Sequence, residues 1–284
     1  MSVIAAIPYY KCPKYIARAV ESLLVQTYKE LTIVVLNDGD CDTPPWPMLA
    51  HISDPRLVRM DLRRNQGPYF ALQVALMATT APYFLIQDAD DWSHPGRVAM
   101  LVKAIESDNS DIAISGHAQF RENADGSIEN LPNYWPDGPK LLPGPDLKLR
   151  LRHHGLFRTQ SLRQVGGYYG GFRMSYDMFL TNLLLLAGRV SVVHKPVYNY
   201  YRRPGSLTTS EATGIRSANR NMVETQLRQL YSNAYGAHCN FTKGQLPTTD
   251  FMKILQGATS TNVSSEDRAL LLLETDRLRT LLSH

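Results

Sequence analysis

The sequence predicts an α/β protein. A mostly parallel sheet flanked by helices spans residues 1–208, and a helical C-terminal extension spans 209–284. Three observations carry this. Short apolar, β-branched runs alternate with segments whose apolar residues recur at helical spacing, the pattern of successive βαβ units. After Gly116 the texture shifts to Pro, Gly, Asn and Asp. From about Glu211 onward helical periodicity dominates. A chain of 284 residues with 44% hydrophobic and 20% charged residues is long and apolar enough for a substantial core.

Val3 to Ile7, ended by Pro8, reads as a buried strand. Ile16, Ala19, Val20, Leu23, Leu24 and Thr27 share one helical face. Leu31 to Leu36 is a second buried strand, completing a βαβ unit. Arg56 to Asp61 reads as a strand, Pro68 to Met77 as a helix and Tyr83 to Gln87 as a further buried strand. His94 to Glu106 is amphipathic, with Pro95 suited to a helix start, and Asp111 to Ser115 is another strand. Residues 123–147 read as long loops. Tyr176 to Ala187 is predicted helical with Gly188 as its C-terminal cap, and Arg189 to His194 and Val197 to Arg202 are two strands. In the tail, Leu227, Leu230 and Tyr231 share a face, as do Leu271, Leu272 and Leu278; such amphipathic helices could mediate a homodimer.

The net charge of +4 is too small and too dispersed to indicate a nucleic-acid binder. The densest basic run, Lys148 to His154, reads either as a solvated edge or as a segment that meets phosphates or another anionic surface. Cys12, Cys41 and Cys239 are odd in number and widely spaced, which argues against a disulfide framework or zinc site and for a reducing compartment. The N-terminus lacks a signal-peptide pattern, and no apolar run approaches the roughly 20 residues a membrane span needs. A cytoplasmic protein, at most peripheral to a membrane, is expected.

Ligands of a parallel α/β sheet bind beyond the carboxyl ends of the strands. There the chain places Pro8-Tyr9-Tyr10, then Asn37-Asp38-Gly39-Asp40, then Asp88-Ala89-Asp90-Asp91. Three adjacent acids cost free energy unless a cation or proton relieves them. Carboxylates two residues apart on an extended chain share a face, so Asp88 and Asp90 can point into one cleft and bind Mg2+ or Mn2+ together with substrate phosphates. Alternatively Asp91 or Ser93 caps the helix near His94. Asp38 reads as a turn former or as an acceptor for ribose or base, and Tyr9 as a packing residue or a stacking face for a base.

These segments, in this order, resemble the family 2 glycosyltransferases of the Rossmann-like GT-A fold, over roughly Ser2 to Thr208. The resemblance rests on Ile7-Pro8-Tyr9-Tyr10, Val34 to Thr43, Asn65-Gln66-Gly67, and Asp88-Ala89-Asp90-Asp91 with Pro95 downstream. It implies an inverting, metal-dependent transferase that moves a sugar from a nucleoside-diphosphate sugar, by default a UDP-sugar, to an acceptor hydroxyl. The donor would be bound by Pro8, Tyr9, Asp38, Asn65, Gly67, Asp88, Ala89 and Arg202, and the metal by Asp90 with Asp88. Gly166-Gly167-Tyr168 before Ser175-Tyr176-Asp177 resembles the segment carrying the family's base and implies Asp177, although Tyr176 stands where Glu is common; Asp177 also reads as a plain N-terminal helix acid. Tyr201 to Ser206 is one residue short of a family segment and suggests that Arg202 reaches the diphosphate, or else forms a surface ion pair. Gln73 replaces a common Asn. His153, His154 and His194 are either additional metal ligands or structural.

Two rival readings remain. A sugar-nucleotide-forming nucleotidyltransferase usually carries a Gly-rich basic loop after the first strand, which Pro8 to Pro13 is not. A degenerate transferase acting as a binding module would not need the intact acid cluster. The acceptor, whether saccharide, lipid-linked, protein or small molecule, is not legible.

Overall fold

A computed structural model describes residues 1–123, 125–136 and 141–283. Strands β1 (Val3–Tyr9), β2 (Leu31–Asn37), β3 (Leu57–Asp61) and β4 (Tyr83–Ile86) pair in parallel in the order β3-β2-β1-β4. Their connections include helices α1 (Pro13–Leu24) and α2 (Pro68–Ala78). Both helices have Pro in the first turn, where the missing N–H costs nothing. β1, β2 and β4 are buried on both faces, which explains why their sequences are continuous apolar runs rather than alternating ones, whereas the edge strand β3 buries only Met60. One core layer lies under α1 and α3 (Arg97–Ser107), the other under α2 and the C-terminal helices.

Beyond β4 the sheet is mixed. The short strands β5 (Trp92–Ser93) and β8 (Leu156–Arg158) pair antiparallel, β8 lying between β4 and β6 (Ile112–Glu122). β6 continues well past Ser115 and forms a hairpin with β7 (Ile128–Tyr134), so the region expected to be only loops contains a strand. β7 escapes a hydropathy reading because its residues are mostly exposed. The two strands expected after Gly188 are one, β9 (Val190–Arg202), parallel to β6 with register shifts on both sides of Gly116 that absorb His194-Lys195 and Val197.

Helix α4 (Thr159–Gln164), too short to show periodicity, follows β8. Helix α5 spans Tyr176–Ala187 as expected, but Gly188 is extended rather than left-handed (φ −143°) and only closes the last turn through its N–H to Leu184 O. The tail forms α6 (Ala218–Thr242), α7 (Thr248–Ser260) and α8 (Ser265–Leu282), with turns rather than helix before Ala218. Leu227, Tyr231, Phe251, Leu255, Leu271 and Leu278 join the same core as α2 and α5, whereas Leu272 is 57% exposed and off that face. Among the described residues no helix is long and apolar enough to cross a membrane.

Candidate functional site

The carboxyl ends of β1, β2 and β4 open on one edge, as their parallel register requires. After β2 the chain turns at Gly39, whose φ of +67° and backbone neighbours, 2.5 Å from where a Cβ would stand, exclude any side chain. Asp38 is buried there. Its Oδ1 accepts from Gln66 N–H (2.8 Å), and its Oδ2 from Gly67 N–H (2.7 Å) and Asn65 Nδ2 (3.0 Å). Burial pushes its carboxyl up to about 6, against the lowering effect of the two backbone N–H groups. Asp38 therefore clamps the Asn65–Gly67 turn, and Gly67 is the N-cap residue just before α2.

Asp40 performs a parallel task for the first turn, accepting from Lys11 N–H (3.1 Å) and Thr43 Oγ1 (2.7 Å). Tyr9 is fully buried and donates its hydroxyl to Thr43 O, so its ring packs and offers no face to a base. The exposed ring at this turn is Tyr10, at 42%.

The acids after β4 converge. One oxygen each of Asp88, Asp90 and Asp91 lie within 4.8 Å of one another. None caps a helix, since α3 starts at Arg97 with no side-chain cap. Asp91 is buried and committed: it accepts from Tyr198 Oη (2.6 Å) and Tyr201 N–H (2.6 Å). Asp90 Oδ2 is met by Arg203 Nε at 2.7 Å, and the Asp90 carbonyl by Arg18 at 2.8 Å. Asp88 Oδ2 lies 2.8 Å from His154 Nε2, with its side chain 31% exposed. Burial raises all three carboxyls, reinforced at Asp91 by Asp90 and Asp88.

Arg97, which the sequence reading passed over, is the fixed counter-charge. It is buried, donates to Gln87 Oε1, Ser93 Oγ, Ile86 O and His154 O, and stands 4.4 Å from the Tyr198 ring centre. Burial lowers its pKa to about 10. A basic residue two positions after a proline gave no sequence signal beyond an ordinary helix start.

His153 and His154 are buried, and among the described residues the Nδ1 atoms of both lack partners. Burial, then neighbouring cations, lower the pKa of His154, so its 2.8 Å contact with Asp88 is a hydrogen bond of a neutral imidazole. His194 is exposed on β9 and outside this cluster. The donor set tests well for a hard divalent cation: Asp88 and Asp90 supply uncommitted oxygen atoms in a cluster of raised carboxyls that such an ion would relieve.

Asp177 stands in the first turn of α5 and accepts from Tyr69 Oη at 2.6 Å. Ser175 before it is left-handed (φ +59°), held by Arg220 (2.8 Å) and Glu224 (2.9 Å) from α6. Burial, then the charges of Asp177 and Asp88, raise the phenol of the buried Tyr168. Gln73 accepts from Tyr168 N–H and fixes that segment. Arg202 does not approach the acids; it donates to Gln119 Oε1 (3.0 Å), and Arg203 takes the place by Asp90.

Fold and site together define an α/β protein whose carboxylate cleft lies at the ends of parallel strands, in the GT-A arrangement. The chain belongs to glycosyl transferase family 2, whose family model matches residues 4–166. It is 26% identical over 217 residues to glycosyltransferase GlyA of Streptococcus pneumoniae serotype 4, covering 71% of this chain and 31% of that protein. It is 27% identical over 224 residues to hyaluronan synthase of Pasteurella multocida, covering 78% and 22%. It is 32% identical over 197 residues to chondroitin synthase of Escherichia coli, covering 68% and 28%. The chain thus spans about a third or less of the length of these relatives. Among solved structures, S. aureus TarS 1–349 in complex with UDP-GlcNAc superposes with a TM-score of 0.62 at 18% identity, over 99% of this chain and 90% of that one.

Proposed function

We propose that the protein transfers a sugar from a nucleoside-diphosphate sugar to an acceptor hydroxyl, with inversion at the anomeric carbon. The observation that carries this is the convergence of Asp88, Asp90 and Asp91 within 4.8 Å at the end of a buried strand, beside Arg203 and the Asp38 turn. TarS crystals with UDP and UDP-GlcNAc support a uridine-diphosphate donor.

In this reading the Asp38 clamp shapes the nucleoside pocket, with Pro8, Asn65 and Gly67 in its walls. Tyr10 rather than Tyr9 presents the open ring. Asp90 and Asp88 hold Mn2+ or Mg2+, flanked by Ala89. The ion would supply charge stabilisation to the departing diphosphate. Arg203 and Arg18 add fixed positive charge on the same side. Asp177, its Oδ1 held by the Tyr69 hydroxyl, takes the proton from the acceptor hydroxyl as that oxygen bonds to the anomeric carbon. The nucleoside diphosphate leaves from the opposite face.

The experiment is a product assay with UDP-sugars. Release of UDP, dependent on acceptor, supports transfer. Release of pyrophosphate on mixing a sugar phosphate with UTP would show a nucleotidyltransferase instead.

A further inference from the structure

One charged feature of the cleft has no part in the donor chemistry above. Arg152, from the basic run before β8, and Arg202, at the end of β9, donate to the same atom, Gln119 Oε1, at 3.1 and 3.0 Å. Their guanidinium carbons lie 4.3 and 5.9 Å from the Tyr200 ring centre, and that of Arg152 lies 4.8 Å from Tyr134. Among the described residues neither guanidinium has a carboxylate partner. Glu122, in the same hairpin, is engaged with Lys14, Tyr15 and Tyr201, and Glu129 pairs with Arg121. Two cations gathered on one neutral oxygen repel each other, and the arrangement is relieved by an anion that both can fork onto.

Its place in the fold says which anion. Gln119 and Tyr200 face each other in the β6–β9 ladder, on the far side of β4 from β1 and β2, whose ends carry the Asp38 turn. Tyr200 is 5.8 Å from the His154 ring, and His154 touches Asp88. The arginine pair thus begins where the acid cluster ends, on the side away from the nucleoside. Tyr134 and Tyr200 beside it are flat rings of the kind that pack against sugar faces.

We infer that Arg152 and Arg202 form an acceptor subsite for an oxyanion, a carboxylate or phosphate ester carried by the acceptor next to the hydroxyl that receives the sugar. This rests on the transferase reading and names the acceptor class for it. The basic run at Lys148 to His154 divides: Lys148 and Leu149 are an exposed edge, whereas Leu151, His153 and His154 are buried in the core and hold Arg152 between them.

The test is binding, measured on the full chain at low salt. The probes are a uronate-containing oligosaccharide, the same oligosaccharide with its carboxyls reduced to alcohols, and a glycerol-phosphate oligomer; UDP with Mn2+ is titrated separately. The uronate or the glycerol-phosphate probe should bind at least about tenfold more tightly than the reduced one, and the stronger of the two identifies the anion. Arg152→Gln and Arg202→Gln should erase that preference while UDP affinity stays within about twofold. Equal binding of anionic and reduced probes, or no binding of either anion to the wild type, overturns the inference without needing any variant to fold. Loss of UDP affinity in both variants also overturns it, since the pair would then serve the donor. Failure of the wild type to bind UDP with Mn2+ would instead count against the transferase reading, and the oligosaccharide titration would still be read by itself.

Discussion

Arg203 Nε lies 2.7 Å from Asp90 Oδ2, both side chains largely buried, so a guanidinium sits against the carboxylate assigned to the metal. Removing one partner of a buried pair leaves the other charge uncompensated. Arg203→Ala is expected to lower the melting temperature in EDTA, by roughly 1–3 kcal/mol of stability. Mn2+ alone should restore more stability to the variant than to the wild type, because it no longer competes with the arginine. Equal gains in both proteins would separate Arg203 from the cation site.

Asp177→Asn should leave UDP affinity unchanged and lower turnover by about 100- to 10,000-fold, the contribution expected of a positioned base. Paired measurements of UDP binding and steady-state rate check this. Parallel loss of both would make Asp177 a fold element of α5, held through Tyr69 and nothing more.

Asp38 gives a pH signature. Its carboxyl is raised to about 6 in the fold against 3.8 when free, so the folded chain holds its proton more tightly. Folding then takes up a proton between about pH 4 and 6, and stability falls as pH rises through that window, by about 3 kcal/mol for this group. Asp38→Asn lacks this titration. Urea unfolding from pH 4 to 7 should show the wild type losing stability relative to the variant by that order. The acid cluster, raised in the same direction, is common to both proteins and cancels in the difference. Parallel curves would place the Asp38 carboxyl near its free value.

The tail is tied to the segment that Asp38 clamps. Glu274 of α8 is fully buried, pairs with Arg277 and accepts from Arg63 N–H at 3.1 Å, while Gln66 donates to Asp267 at 2.9 Å. Glu274→Ala should cost about 1–3 kcal/mol and weaken UDP binding through the Asn65–Gly67 turn. Glu266→Ala, which breaks only an exposed pair with Arg64, should change stability by less than about 1 kcal/mol. Thermal melts with UDP titrations distinguish the two.

Legibility in the sequence followed burial. β1, β2, β4 and α5 were readable because each is an uninterrupted apolar or periodic run. β7 was not, because Ile128 to Tyr134 is held by pairing to β6 rather than by a buried face. The acid cluster was readable from residue type and spacing. The choice between neighbours was not: Tyr9 against Tyr10, and Arg202 against Arg203, differ only in which side of a strand end each faces, and a period of two sends adjacent side chains to opposite faces. Arg97 and the His153–His154 pair act through long-range contacts that no local pattern announces.

On the transferase reading, the Asp88–Asp90 cleft binds a nucleoside diphosphate through a divalent cation. Calorimetric titration of UDP with Mn2+, with EDTA, and with Mn2+ on Asp90→Ala tests it directly. UDP should bind the wild type with Mn2+ but not with EDTA, and should not bind the variant even with Mn2+. Equal UDP affinity in all three titrations would leave Asp90 and the cation without a part in donor binding.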